Sequence, residues 1–149
     1  MFVILSISDS DKHFSSAIQE YEKRLAKEVK LENLKPYKGD NHDFVIEKET
    51  ESLIALVKKK YANYQKFLLI KEGKLYDTIE FSKVLKANDT LFIIWWPYWV
   101  DESKIKKEIP DIKEISFWAI TLPHGLAKLT LIEQLYRVTT IRVGKKYHY

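Results

Sequence analysis

The sequence predicts an α/β domain built on an open, mostly parallel sheet with helices on both faces. Strand-like runs alternate with amphipathic stretches along the whole chain, the order expected of strand–helix–strand units. The opening run, Met1 to Ile7, is continuously apolar and β-branched, the pattern of a strand covered on both faces. With 149 residues, only 4 Gly and 4 Pro, and no internal repeat or linker, the chain reads as one domain with one core, residues 1–149.

Each element has its own signal. After the first strand, Asp9, Ser10 and Asp11 offer N-cap oxygens to a helix whose Phe14, Ile18, Tyr21 and Leu25 recur on one face, reaching about Lys27. Val29 to Tyr37 reads as a second strand, and Lys38 to Asn41 as a polar loop. Asp43 to Ala62 reads as a helix with Ile46, Leu53, Ile54 and Val57 inward; Lys58 to Lys60 lie near its end, where the dipole favours cations. Phe67 to Ile70 is a short buried strand, Asp77 to Ala87 a helix and Thr90 to Trp95 a strand. Asp101 to Glu108 carries acids in its first turn and ends before Pro110, as a short helix should. Ile115 to Ile120 is predicted as the fifth strand and Leu126 to Thr139 as the last helix. In that helix Leu126, Leu129, Leu131, Ile132, Leu135, Tyr136 and Val138 point almost all round, so it is buried on every side. Packing on its own sheet and on a second subunit achieves that in a homodimer; a central core helix achieves it in a monomer.

Composition narrows the chemistry. There is no cysteine, which removes disulfides, thiol nucleophiles and thiolate metal sites together, and four scattered histidines argue against a metal site. The net charge of +4 is compatible with a polyanionic partner. Met1 to Ser10 lacks the basic region and cleavage site of a signal peptide, and no run is long enough to span a membrane, so a cytoplasmic protein without a membrane partner is expected.

In open α/β sheets ligands bind beyond the carboxyl ends of the strands, which directs attention to Lys71–Tyr76, Trp95–Val100 and Thr121–Gly125. The last of these reads Thr121-Leu122-Pro123-His124-Gly125. It is either a turn offering main-chain groups to a small ligand or an ordinary connection capped by Thr or His. No acid follows Glu133, while Arg137, Arg142, Lys145 and Lys146 gather beside Tyr147, His148 and Tyr149. Cations interleaved with rings suit phosphate contact and base stacking, with Arg142, Lys145 and Lys146 as the RNA-contacting candidates; the alternative is a solvated tail. His148 has the intrinsic pKa to accept a proton near neutrality. His13 and His42, beside helix starts, read as capping or surface residues.

Taken together, Glu20-Tyr21-x-Lys23-Arg24-Leu25, Glu47 to Leu53, Leu69-x-x-x-Gly73-Lys74, Thr121-Leu122-Pro123-His124, Leu131-Ile132-Glu133-Gln134-Leu135-Tyr136-Arg137 and Tyr147-His148 resemble the SPOUT-class RNA methyltransferases, specifically the RlmH family, across nearly the full chain. That family N3-methylates a pseudouridine in large-subunit (23S) ribosomal RNA. The resemblance implies a C-terminal trefoil knot, an exception to the rule of unknotted chains. It also implies a homodimer in which the tail of one subunit completes the cofactor pocket of the other. S-adenosylmethionine would be gripped at Leu69, at the loop after the fourth strand with Trp95 and Trp96, and along Phe117, Trp118, Ala119, Ile120, Thr121 and Leu122, with no metal. His148, Tyr147 and Arg137 would serve the reaction, His148 as the group that takes the N3 proton and Arg137 by holding phosphate or orienting the tail. The partner would be ribosomal RNA or the assembled ribosome.

One segment departs from the family. Where the family carries a Gly-Gly-x-x-Gly loop after the fourth strand, this chain reads Trp95-Trp96-Pro97-Tyr98-Trp99. Glycines there allow close main-chain approach. The indoles either build an altered pocket in a working enzyme or fill the cavity, leaving a cofactor-free dimer that binds RNA or the ribosome.

Overall fold

The computed structural model describes residues 1–7, 12–85, 89–95 and 100–147. Five strands, β1 (Phe2–Ile7), β2 (Val29–Leu34), β3 (Gln65–Leu75), β4 (Thr90–Ile94) and β5 (Lys113–Ser116), form one sheet in the order β2-β1-β4-β3-β5, every pairing parallel. Among the described residues four α-helices connect them, α1 (Ser15–Leu25), α2 (His42–Lys60), α3 (Thr78–Val84) and α4 (Glu102–Glu108), and α5 (His124–Arg142) follows β5. The expected fold class is therefore present.

Strand alternation divides the interior in two. Phe2, Ile4, Phe67, Phe92, Ile94 and Ile115 meet Ile18 and Leu25 of α1, Phe81 of α3, and Leu131, Ile132, Leu135 and Val138 of α5. The intervening residues Val3, Leu5, Leu68, Leu91 and Ile93 meet Leu53, Ile54 and Val57 of α2 and Ile105 of α4 on the opposite face. Phe67 stacks on Phe92 at 5.5 Å between ring centres, joining β3 to β4. In the first layer α5 lies between α1 and α3, which with the sheet cover one side of it, while Leu126, Leu129 and Tyr136 stay half-buried, so the helix is not buried on every side of this chain. Leu131, Ile132, Leu135 and Val138 are fully buried within the single chain.

Element boundaries shift where polar chemistry overrides apolar pattern. The cap residues expected before α1, Asp9, Ser10 and Asp11, lie outside the described residues; α1 begins after Phe14, with no side-chain cap. β2 stops at Leu34 rather than Tyr37, one residue before Lys35-Pro36, because proline has no N–H for the ladder. Asn41 caps α2 by accepting from Phe44 N at 3.1 Å, which turns Val45 inward and leaves Ile46 half-buried. α2 also buries Glu49 and Thr50: Glu49 accepts from Tyr37 N at 2.7 Å, and Thr50 Oγ1 accepts from Asp101 N at 3.1 Å. Asp77 and Glu80 form a reciprocal capping box at α3, which ends at Val84, short of the expected Ala87; residue 87 itself lies outside the described residues. Lys66, 3% exposed, donates to Ala62 O, Tyr64 O and Asp111 Oδ2, satisfying its ammonium group at the start of β3. His13 and His42 are surface residues; neither caps its helix.

At the outer edge, Glu32 on β2 accepts from Tyr61 Oη, from Lys60 Nζ at 3.0 Å and from Lys30 Nζ at 3.1 Å. Burial pushes its carboxyl upward, but these three donors outweigh burial and hold it at about 2, against an ordinary 4.5. Because the folded value lies below the unfolded one, the contribution is complete above pH 4.5 and vanishes as the pH falls toward 2. Glu32→Gln should therefore lower unfolding free energy at pH 7 by on the order of 2 to 3 kcal/mol. Urea titrations of the two proteins should converge between pH 4 and 2.

Candidate active site

The helix after β3 leaves toward the α1 and α5 layer, while the helix after β4 leaves toward α2. Adjacent strands whose connections depart to opposite faces open a crevice at their carboxyl ends. A cavity of about 150 Å³ lies there. β3 contributes Leu68 to Glu72, β4 contributes Ile94, Trp95 follows it, and α4 contributes Glu102 from its first turn. Ser116 to Leu122, without Ala119, closes one side, and α5 brings His124 and Ala127.

The cavity depends on an interruption of the β3 and β5 ladder. Ile115 is aligned first with Leu69 and then with Lys74, so residues 70–73 leave the sheet and return to it. On return, Gly73 passes against β5 so closely that a Cβ would sit 2.3 Å from the carbonyl carbon of Ile115. β5 ends at Ser116, and the apolar stretch expected to continue it to Ile120 instead crosses the carboxyl end of the sheet as an irregular segment toward α5. Pro123 precedes α5, whose start has no side-chain cap, so neither Thr121 nor His124 caps it. His124 is buried in the cavity wall.

Of the residues expected to grip a cofactor, Leu69, Trp95, Phe117, Trp118, Ile120, Thr121 and Leu122 share this one cavity. Ala119 belongs to the same segment but not to the wall, and Trp96 lies outside the described residues, as do Pro97, Tyr98 and Trp99. Sequence reasoning missed Glu102, which read only as an acid favouring a helix start. Burial raises its carboxyl pKa most, the charges of Glu114 and Glu72 add, and Lys106 opposes. Among the described residues no group of three or more metal-binding side chains gathers, and no helix is long and apolar enough to cross a membrane.

The tail candidates lie elsewhere. α5 ends in a Schellman turn: Gly144 adopts φ +68°, Gly144 N donates to Ile141 O and Lys145 N to Thr140 O. The chain reverses there and lays Tyr147 back on Tyr136, ring centres 4.8 Å apart, beneath the Arg137 guanidinium at 5.3 Å. Arg137 is itself held by Glu133 Oε1 at 2.6 Å. Along α5 this cluster is about 20 Å from His124 at 1.5 Å per residue. Arg137 and Tyr147 therefore do not enter the cavity of their own chain, and His148 lies outside the described residues. Arg142 donates to Leu85 O and lies 5.5 Å over the Phe2 ring, fastening α5 to the far end of the sheet. Lys145 and Lys146 are exposed.

The family model described as "Predicted SPOUT methyltransferase" matches residues 2–148. The chain belongs to the SPOUT methyltransferase family. Relatives called Ribosomal RNA large subunit methyltransferase H include those of Mycoplasmopsis synoviae (strain 53), 34% identical over 97% of this chain and 96% of the relative, and of Pseudothermotoga lettingae, 33% identical over 98% and 97%. That of Mesomycoplasma hyopneumoniae (strain J) is 32% identical over 85% of this chain and 82% of its own length. SPOUT membership implies S-adenosylmethionine as cofactor, and the cavity suits it. Trp95, Phe117 and Trp118 supply flat apolar surface for a purine, residues 117–123 run without regular secondary structure, so their peptide groups are not consumed by a ladder, and Glu72 and Glu102 supply negative charge toward a cationic ligand. The Trp95 side chain forms wall while the cavity persists beside it.

Since the overlap at Gly73 is with backbone, Gly73→Ala should destabilise the fold by about 3 kcal/mol, at the upper end for overpacking. Gly144→Ala, where a Cβ meets nothing within 4 Å, should cost only about 1 kcal/mol for its left-handed φ. Equilibrium urea unfolding of both variants checks the contrast.

Proposed function

We propose that this chain transfers a methyl group from S-adenosylmethionine to N3 of a pseudouridine in large-subunit ribosomal RNA, in the cytoplasm, as a homodimer with a C-terminal trefoil knot. The observation that carries the reading is the convergence of Leu69, Trp95 and residues 117–122, Ala119 excepted, on one cavity in a chain matched to the SPOUT family over residues 2–148. The substrate class is supported by the names of the relatives. Support for the knot comes from the excursion of β3 around residues 70–73 and the crossing of the chain from β5 back to α5.

Support for the dimer is geometric. Tyr147 and Arg137 lie about 20 Å along α5 from the cavity of their own chain, so a tail that takes part in methyl transfer must serve the cavity of a second copy. S-adenosylmethionine, when bound, supplies an electrophilic sulfonium methyl. The chain's residues hold the reactants in line, which supplies much of the rate. His148 is proposed to take the proton that N3 would give up on methylation. Arg137, fixed by Glu133 and packed over Tyr147, orients the tail. Arg142, Lys145 and Lys146 are proposed to contact RNA, Arg142 while it also donates to Leu85 O.

Isothermal titration with S-adenosylmethionine, together with transfer of labelled methyl from it to ribosomal particles, tests the proposal. Heat and transfer are expected; neither at millimolar cofactor overturns it and leaves the cofactor-free RNA-binding dimer. His148→Ala should lower the transfer rate about 10²- to 10⁴-fold, the size of a lost general base, with cofactor affinity nearly unchanged. Glu102→Gln should weaken S-adenosylmethionine more than S-adenosylhomocysteine, whose sulfur is uncharged, when the two are compared by titration calorimetry.

A further inference from the structure

The cavity opens between two unlike lips. On one, Trp118, Ile120 and Thr121 belong to the wall yet are exposed, and the intervening Ala119 is exposed as well. Of Trp95, Phe117 and Trp118, only Trp118 is open to solvent, at 37%; the other two are half-buried. The Trp118 ring is nonetheless held in place. It meets Phe117 edge-on at 5.7 Å between centres, Phe117 meets the buried Phe81 in the same way at 5.7 Å, and Ser116 Oγ donates to Trp118 O at 2.7 Å. The other lip is Lys71, on the excursion of β3. Among the described residues it is the only lysine or arginine in the wall, it is exposed, and it forms no ion pair with the wall's Glu72 or Glu102.

We propose that these lips receive the RNA as an unpaired, turned-out nucleotide, whose base stacks on the Trp118 indole while Lys71 contacts a neighbouring phosphate. The proposal deepens the methyl-transfer reading and rests on it. N3 lies on the pairing edge of the base, so a nucleotide held in a duplex cannot present it, and one that has left its stack needs a new flat surface. An indole fixed at its edge by Phe117 and open to solvent is such a surface, with little freedom left to lose on binding. The two carboxylates of the wall suit a sulfonium and repel phosphate, so the RNA backbone is favoured on the side where a cation offsets them, and Lys71 is that cation. An exposed apolar strip facing an unpaired ammonium also matches a nucleotide, with its ring and its phosphate, better than it matches a second copy of a chain whose net charge is +4.

Trp118→Leu keeps apolar bulk in the wall and removes the aromatic face. Its dissociation constant for ribosomal particles, read by co-sedimentation, should rise about 5- to 150-fold, the worth of one stacked base, and Trp118→Tyr should recover most of that loss. In titration calorimetry the same variant should lose far less affinity for S-adenosylmethionine than for the particles. Lys71→Ala should flatten the dependence of log affinity for the particles on log salt by about 0.7, the share of one phosphate on a single strand, without weakening S-adenosylmethionine. Wild-type particle affinity in Trp118→Leu overturns the stacking role, and an unchanged salt slope in Lys71→Ala overturns the phosphate contact. Losses confined to S-adenosylmethionine would give both residues to the cofactor, and a Trp118→Leu protein that sediments as a monomer where the wild type is a dimer would make the strip a subunit interface; either result overturns the proposal. A wild-type protein that transfers no methyl group to the particles while both binding losses stand counts against the function proposed above and leaves the lips supported as an RNA contact.

Discussion

The carboxyl end of the sheet is governed by one steric constraint: the main chains at Gly73 and Ile115 come closer than any side chain permits. That contact lets β3 leave the ladder for four residues and re-enter it on the same partner, Ile115. The excursion puts Ile70, Lys71 and Glu72 on one wall of a cavity, and the end of β5 at Ser116 releases the segment that forms the other wall. Fold and site are therefore not separable here. A change that relaxed the crossing of β3 and β5 would also move both sides of the cavity.

Buried polar groups fix the loops that the apolar core leaves undetermined. Lys66 ties the start of β3 to Asp111, Glu49 ties the chain after β2 to α2, and Ser6 Oγ and Lys128 Nζ both donate to Asn33 Oδ1 where β1, β2 and α5 converge. Each such group exchanges water for defined partners, so its geometry is far less tolerant than that of a leucine. The three contacts hold connections on both faces of the sheet.

Legibility in the sequence followed the strength of the apolar pattern. β1, β4 and α5 were evident because long buried runs have one period and one burial state. β3 read as Phe67 to Ile70 because Lys71 and Glu72 break the run, although the strand resumes at Lys74. Ile115 to Ile120 read as strand because its residues are apolar, while only its first two pair; Phe117 and Trp118 are apolar to wall a cavity, and Ile120 is 67% exposed at its rim. Periodicity cannot separate those uses. The cavity residues were reached through motif resemblance, whereas the pairing of Tyr21 with Tyr136 joins residues far apart in sequence and no local pattern encodes it. Arg142, an RNA-contacting candidate in the sequence, also donates to Leu85 O, a link between α5 and the end of α3 that no local pattern encodes.

The central place of α5 between α1 and α3 bears on how the chain acquires its structure. α5 is the last element in order, yet it supplies Leu131, Ile132, Leu135 and Val138 to the layer that covers Phe2, Ile4, Phe92 and Ile94. Until it docks, one face of the sheet is an open apolar floor between two helices. The pairing of β1 with β4 also joins segments nearly ninety residues apart, and parallel pairings of that separation form slowly. A growing polypeptide must therefore carry an unfinished, aggregation-prone intermediate through most of its synthesis, and demand on holding chaperones should be concentrated in the interval before the final helix emerges.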